Sequence, residues 1–185
     1  MKPKIKRIKK TEPIFYNERV DIYKINDSPE ARRELEFIEA GEGDKLEKLS
    51  YFHSTKKNII PLEAREKICK LFTGEDITLE EFYLNISALG TSAAVPTENS
   101  TKLTNEVFRK FIQSRSRDKN TIFVMSRYLP EDCSGSFREE AVFLQGDLEV
   151  KDSGCPLSII NLTATEGDKT DREYLIIERK FILKI

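Results

Sequence analysis

The chain holds a single histidine, His53, among 185 residues, and that scarcity closes off a good deal of chemistry. Any site built on two imidazole ligands is excluded, and a mixed zinc site loses its usual nitrogen donors. Three cysteines, Cys69, Cys133 and Cys155, form an odd set with no CxxC spacing. A disulfide framework is not expected, and a reducing compartment fits. No hydrophobic stretch approaches the roughly 18 apolar residues of a membrane-spanning helix, because charges interrupt each one. The basic opening is not followed by the roughly 7–15-residue apolar region of a secretory signal. The sequons at Asn85, Asn99 and Asn161 therefore read as chance. An intracellular, cytoplasmic protein is the expectation, with nuclear entry open in a eukaryotic host. The phosphate-binding patterns GxGxxG and GxxxxGKS/T, the zinc motif HExxH and the nucleophile elbow GxSxG are all missing.

What is present is charge, unevenly spread. The formal net charge is −1, yet residues 1–10 carry six basic groups and no acidic one. The other 175 residues hold 25 basic against 32 acidic groups, a net of −7. The sequence thus describes a basic arm over residues 1–12 and a single acidic domain over 13–185, a usual one-domain length.

Along the domain, Val20-Asp21-Ile22-Tyr23-Lys24-Ile25 alternates as a half-buried strand does. Ser28-Pro29-Glu30 reads as N-cap, first helical residue and first-turn acid, opening a helix that stops near Gly41 with Ala31, Leu35 and Ile38 inward. Residues 44–54 fit either helix or strand. Pro61 starts a helix whose stripe is Leu62, Ile68, Leu71 and Phe72, closed by Gly74. Thr78-Leu79-Glu80-Glu81 is a capping box that predicts a helix to about Leu89. Residues 90–101 form a loop, and Leu103, Val107, Phe108 and Phe111 predict one more amphipathic helix.

Beyond Asn120 the period shortens to two. Strands are predicted over 122–125, 137–144, 148–150, 157–165 and 174–185, the last two joined as a hairpin by Glu166–Asp171. Helices gathered before strands imply an α+β fold: N-terminal helices packed on a mainly antiparallel C-terminal sheet, which the strand at 14–25 is free to join.

Candidate chemistry is sparse. His53 is a lone general-base candidate that reads more simply as a partly exposed side chain. Cys69 falls on the apolar face of its helix and reads as a small hydrophobe, whereas Cys155, in a Ser-Gly-Cys-Pro turn, is the most accessible thiol. Cys133 follows Glu131-Asp132, whose charge suppresses a thiolate. Glu139 and Glu140 point to opposite faces of one strand and do not form an acid/base pair. Glu166, Asp168 and Asp171 are turn-forming acids without EF-hand spacing. No catalytic residue, metal site or cofactor is assigned. Arg127, Arg138, Arg172 and Arg179 lie in predicted strands, where guanidinium groups aimed into a cavity bind carboxylate or phosphate. Lys4, Lys6, Arg7, Lys9 and Lys10 of the arm attract an anionic partner, and Lys6-Arg7-Ile8-Lys9 matches a short nuclear-import pattern.

The first expectation is a non-enzymatic protein-interaction or regulatory domain whose partner is another protein. A small-anion or small-ligand binder or enzyme, with a pocket between sheet and helices, is the second. Nucleic-acid association through the arm is the third.

Overall fold

A computed structural model describes residues 15–75 and 78–183; the arm, with Lys4, Lys6, Arg7, Lys9 and Lys10, lies outside them. The first described element is a long strand, β1 (Phe15–Asn26). Helix α1 (Pro29–Glu36) begins where its local chemistry dictates: the Ser28 hydroxyl accepts the Ala31 N–H at 3.0 Å, and Pro29 fills the first turn. It ends short of Gly41, the predicted stop. The ambiguous stretch resolves into α2 (Gly43–Leu49) followed by β2 (Phe52–Lys56). Helix α3 (Leu62–Thr73) closes on Gly74, whose φ of +71° is the left-handed cap that glycine adopts without a Cβ clash. Its inward residues are Ala64 and Ile68, while Leu62 and Leu71 of the predicted stripe are exposed.

Two predicted helices are strands. The capping box at Thr78 and Glu81 exists, but it starts only a 3-10 turn over Leu79–Phe82. From there β3 (Leu84–Gly90) and β4 (Glu106–Phe111) run as strands, with the loop predicted at 90–101 between them. A cap satisfies the donors of one turn; β3 is then paired on both sides, which overrides local helix preference.

The rest is mostly strand: β5 (Ser114–Asp118), β6 (Thr121–Tyr128), β7 (Gly135–Ser136), β8 (Glu139–Leu144), β9 (Cys155–Asn161), the single turn α4 (Ala164–Gly167), β10 (Asp168–Lys169) and β11 (Glu173–Leu183). No strand forms at 148–150, which lies in a bent loop.

The fold is α+β and sheet-dominated, 21% helical and 42% strand among the described residues. The rhythm change expected at Asn120 does not divide it, since five strands precede that residue. One sheet has the order β2-β1-β11-β6-β5 and the other β4-β3-β8-β9, with β7 and β10 forming a small ribbon. Every pairing is antiparallel. The N-terminal strand does join the sheet, as the partner of β11. The predicted hairpin of the last two long strands is not formed: β9 pairs with β8, and β11 lies in the other sheet. The acidic connector crosses between sheets through α4 and β10 instead of making a tight turn.

Strand periodicity explains how the layers meet. Val20 and Ile22 of β1, Leu175 and Ile177 of β11, Tyr128 of β6, Leu89 of β3 and Ile160 of β9 share one core cluster between the two sheets. The alternate residues Tyr23, Ile25, Met125 and Ile176 cluster with Ala31, Leu35 and Leu46 from α1 and α2. Apolar residues on both faces of β11 thus serve two cores.

Candidate functional site

Near one end of the sandwich the two sheets border a half-open cavity of about 350 Å³. Strand alternation turns Val124 of β6 and Phe181 of β11 inward from the five-stranded sheet, while Leu144 of β8 and Leu157 of β9 approach from the four-stranded sheet. Ile68 of α3 and Phe82 and Tyr83 of the 3-10 turn complete the wall. The size falls within the roughly 300–1,000 Å³ typical of small-molecule sites.

Among the described residues the one charged group on this lining is Arg115, on the edge strand β5 opposite Val124. Its guanidinium lies 4.6 Å from the Tyr83 ring centroid, a cation–π distance. Nη2 donates to Tyr83 Oη at 2.9 Å, and Nη1 donates to the Leu84 carbonyl. Among the described residues no carboxylate pairs with it. An apolar chamber with an unneutralised, oriented cation at its edge can take a ligand that is apolar along its body and anionic at one end.

A second pocket, about 140 Å³, opens on the other face of the five-stranded sheet. Asp21 and Tyr23 of β1, Glu178 and Lys180 of β11 and Glu47 of α2 line it. Asp21 accepts from Arg19, from Thr55 at 2.6 Å and from His53 Nε2 at 3.0 Å. Burial alone raises the Asp21 carboxyl, but the hydrogen bonds from Arg19, Thr55 and His53 outweigh it and hold the group below its ordinary value. Glu178 moves the other way. Burial pushes its carboxyl up, although it accepts the Gly41 N–H at 2.7 Å. His53 stacks on Tyr23 with centroids 4.6 Å apart, and its Nδ1 lies 3.8 Å from Glu47. Both ring nitrogens face carboxylates, so the imidazole ties β2 to β1 and α2. The space is too small for an organic substrate of ordinary size.

Between the sheets lies a buried polar network. Arg179 of β11 and Glu140 of β8, both with fully buried side chains, form a two-pronged ion pair with one contact of 3.0 Å. Arg179 Nε donates to Ser158 Oγ at 2.9 Å, and Asn58 donates to the same oxygen. Ser87 donates to Glu140 at 3.0 Å and also bonds the Tyr128 hydroxyl. This arrangement neutralises the guanidinium in place and joins the two sheets.

The four arginines singled out from sequence stand in four separate environments. Arg179 is in the network just described. Arg127, also buried, sits on the opposite face of its sheet and donates to the Ile38 carbonyl at 2.9 Å. Arg138 pairs with Asp168 at 2.8 Å in the connection between sheets, and Arg172 is exposed in the turn before β11. Glu139 and Glu140 point to opposite faces: Glu139 accepts the backbone N–H groups of Thr104 and Asn105, while Glu140 meets Arg179.

The thiols reverse their expected order. Cys69 is exposed, because α3 turns Ala64 and Ile68 inward instead. Cys155 begins β9 opposite Leu144 and is buried, which pushes its thiol up to about 12. Cys133 is pushed up to about 11, chiefly by burial, with the neighbouring Asp132 a smaller contributor.

Among the described residues no group of three or more His, Cys, Asp or Glu is placed to hold a metal ion, and no helix is long and apolar enough to cross a membrane. The chain matches no protein family, no curated protein and no solved structure.

Proposed function

We propose that this is a non-enzymatic binding domain that holds a small, mainly apolar ligand between the ends of its two sheets. The observation that carries the reading is the cavity of about 350 Å³, bounded by residues of both sheets and of α3. A half-open chamber of that size lined by Val124, Leu144, Leu157 and Phe181 leaves apolar wall without packing partners. An apolar ligand supplies those contacts and removes its own surface from water.

A neutral apolar fluorophore, N-phenyl-1-naphthylamine, tests this directly. It should bind the wild-type chain saturably and be displaced by decanol. Leu157→Trp fills the chamber and should abolish binding while near-ultraviolet circular dichroism reports a folded core. The chain has no tryptophan of its own, so the new indole also reports its surroundings. Unchanged fluorophore affinity in a folded Leu157→Trp protein places the binding elsewhere and refutes the reading.

The protein-interaction reading has its support in Phe37, Val95 and Phe111, each more than half exposed. They belong to the end of α1, the 91–105 loop and β4.

A further inference from the structure

We infer that the ligand is a free monocarboxylate with an unbranched apolar chain, its head group held by Arg115; this rests on the pocket reading above. Arg115 is exposed on the outermost strand of its sheet, yet its guanidinium is not loose. The Tyr83 ring lies 4.6 Å from it, and the Tyr83 hydroxyl and the Leu84 carbonyl each accept one of its N–H groups. Those contacts orient the fork and leave its remaining donors without a partner among the described residues. Both anchors are neutral, so the positive charge persists at the cavity edge.

Charge and shape narrow the occupant. A planar guanidinium fork matches the two oxygens of a carboxylate. One cation neutralises one negative charge, and a doubly charged head would leave its second charge unpaired beside an apolar wall. Behind Arg115 the lining offers Ile122, Val124, Leu157 and Phe181, which reward methylene groups and supply no partner for a polar tail. The cavity volume bounds the chain length, because methylenes beyond it stay in water.

Displacement of N-phenyl-1-naphthylamine by hexanoate, octanoate, decanoate and dodecanoate, beside decanol, decylamine and decyl phosphate, provides the test. Affinity should rise about fourfold per methylene until the chamber is full, then level off. Decanoate should bind at least about tenfold more tightly than decanol, as a charge-assisted hydrogen bond implies. Decylamine and decyl phosphate should both be weaker than decanoate. Arg115→Gln should erase the preference of decanoate over decanol by weakening decanoate far more than decanol. Arg33→Gln, on α1 across the five-stranded sheet, should change neither. Equal binding of decanoate and decanol by the wild type, or a preference that survives Arg115→Gln, overturns the head-group assignment while the pocket stands. Tighter binding of decyl phosphate than of decanoate overturns the carboxylate. If neither the fluorophore nor any chain binds the folded protein, the pocket reading itself falls.

Discussion

Removing Arg179 from the centre of the sandwich is the most demanding test of how the two sheets are held together. In Arg179→Met the side chain keeps an apolar stem of similar reach but loses every N–H that faces Glu140 and Ser158. Glu140 is then left fully buried, with Ser87 its remaining hydrogen-bond donor among the described residues, at 3.0 Å. Breaking a buried pair on one side costs about 3–5 kcal/mol, since the uncompensated charge keeps its desolvation penalty. For a domain of this size each kcal/mol lowers Tm by about 2–4 °C, so a drop of roughly 6–20 °C is expected. Urea unfolding followed by far-ultraviolet circular dichroism measures it, with the slope unchanged if the native surface is preserved. Glu140→Leu alone should cost about as much, because it strands the guanidinium. The double variant should lie within about 2 kcal/mol of wild type: the charges go together, Ser87 keeps Tyr128, and Ser158 keeps Asn58. A single variant costing under about 1 kcal/mol, or a double variant costing the full sum of the singles, refutes the claim that these two side chains act as one desolvated unit.

Three further outcomes follow from local geometry. At about pH 8 a thiol reagent should modify one cysteine quickly, and Cys69→Ser should remove that phase, since Cys133 and Cys155 are held up to about 11 and about 12; a fast phase that persists in Cys69→Ser contradicts the assignment. Because burial raises the Glu178 carboxyl above its unfolded value, folding stability from this site is full in acid and is lost as pH rises through the folded value. Glu178→Gln should therefore raise Tm at about pH 7.5 and have no effect below about pH 4, and a variant that destabilises at neutral pH would show the carboxylate to be wanted there. Ser28→Ala removes the 3.0 Å acceptor for the Ala31 N–H and should cost about 1 kcal/mol by urea unfolding; a cost near zero would mean that α1 is held by its packing alone.

Elements whose boundaries depend on local chemistry or on clean alternation were legible in the sequence. Helix α1 follows from its Ser-Pro-Glu opening, β1 from alternating β-branched and aromatic residues, and β11 from a short run that is apolar on both faces. Among the errors are β3 and β4, predicted as helices, and β4 shows why. The spacing of Val107 and Phe111 suggests a buried helical stripe, yet these side chains are 51% and 58% exposed. Its most deeply buried side chain is Glu106, held in a salt bridge by Arg109 at 2.6 Å. On this edge strand Phe108 packs against the core between the sheets while Val107 and Phe111 stay outside and the charged Glu106 is buried, so a rule that equates apolar with buried assigns the wrong face and the wrong period.

The same reasoning explains why Arg115 could not be found from the sequence. Its strand reads Ser-Arg-Ser-Arg-Asp, without a single apolar residue, and carries no signal of burial on either face. It is a strand because β6 beside it presents unpaired backbone groups that an extended neighbour satisfies, from Ser114 opposite Met125 to Asp118 opposite Thr121. That register, and not the local sequence, sets Arg115 opposite Val124 on the cavity wall and beside Tyr83. Arg179 and Arg127 carry the opposite lesson. Their apolar surroundings made them conspicuous, and the same surroundings require partners from the protein itself: Glu140 and Ser158 for one, the Ile38 carbonyl for the other. A guanidinium buried in a core is committed before any ligand arrives, whereas one on an edge strand, steadied by neutral groups, keeps its charge available.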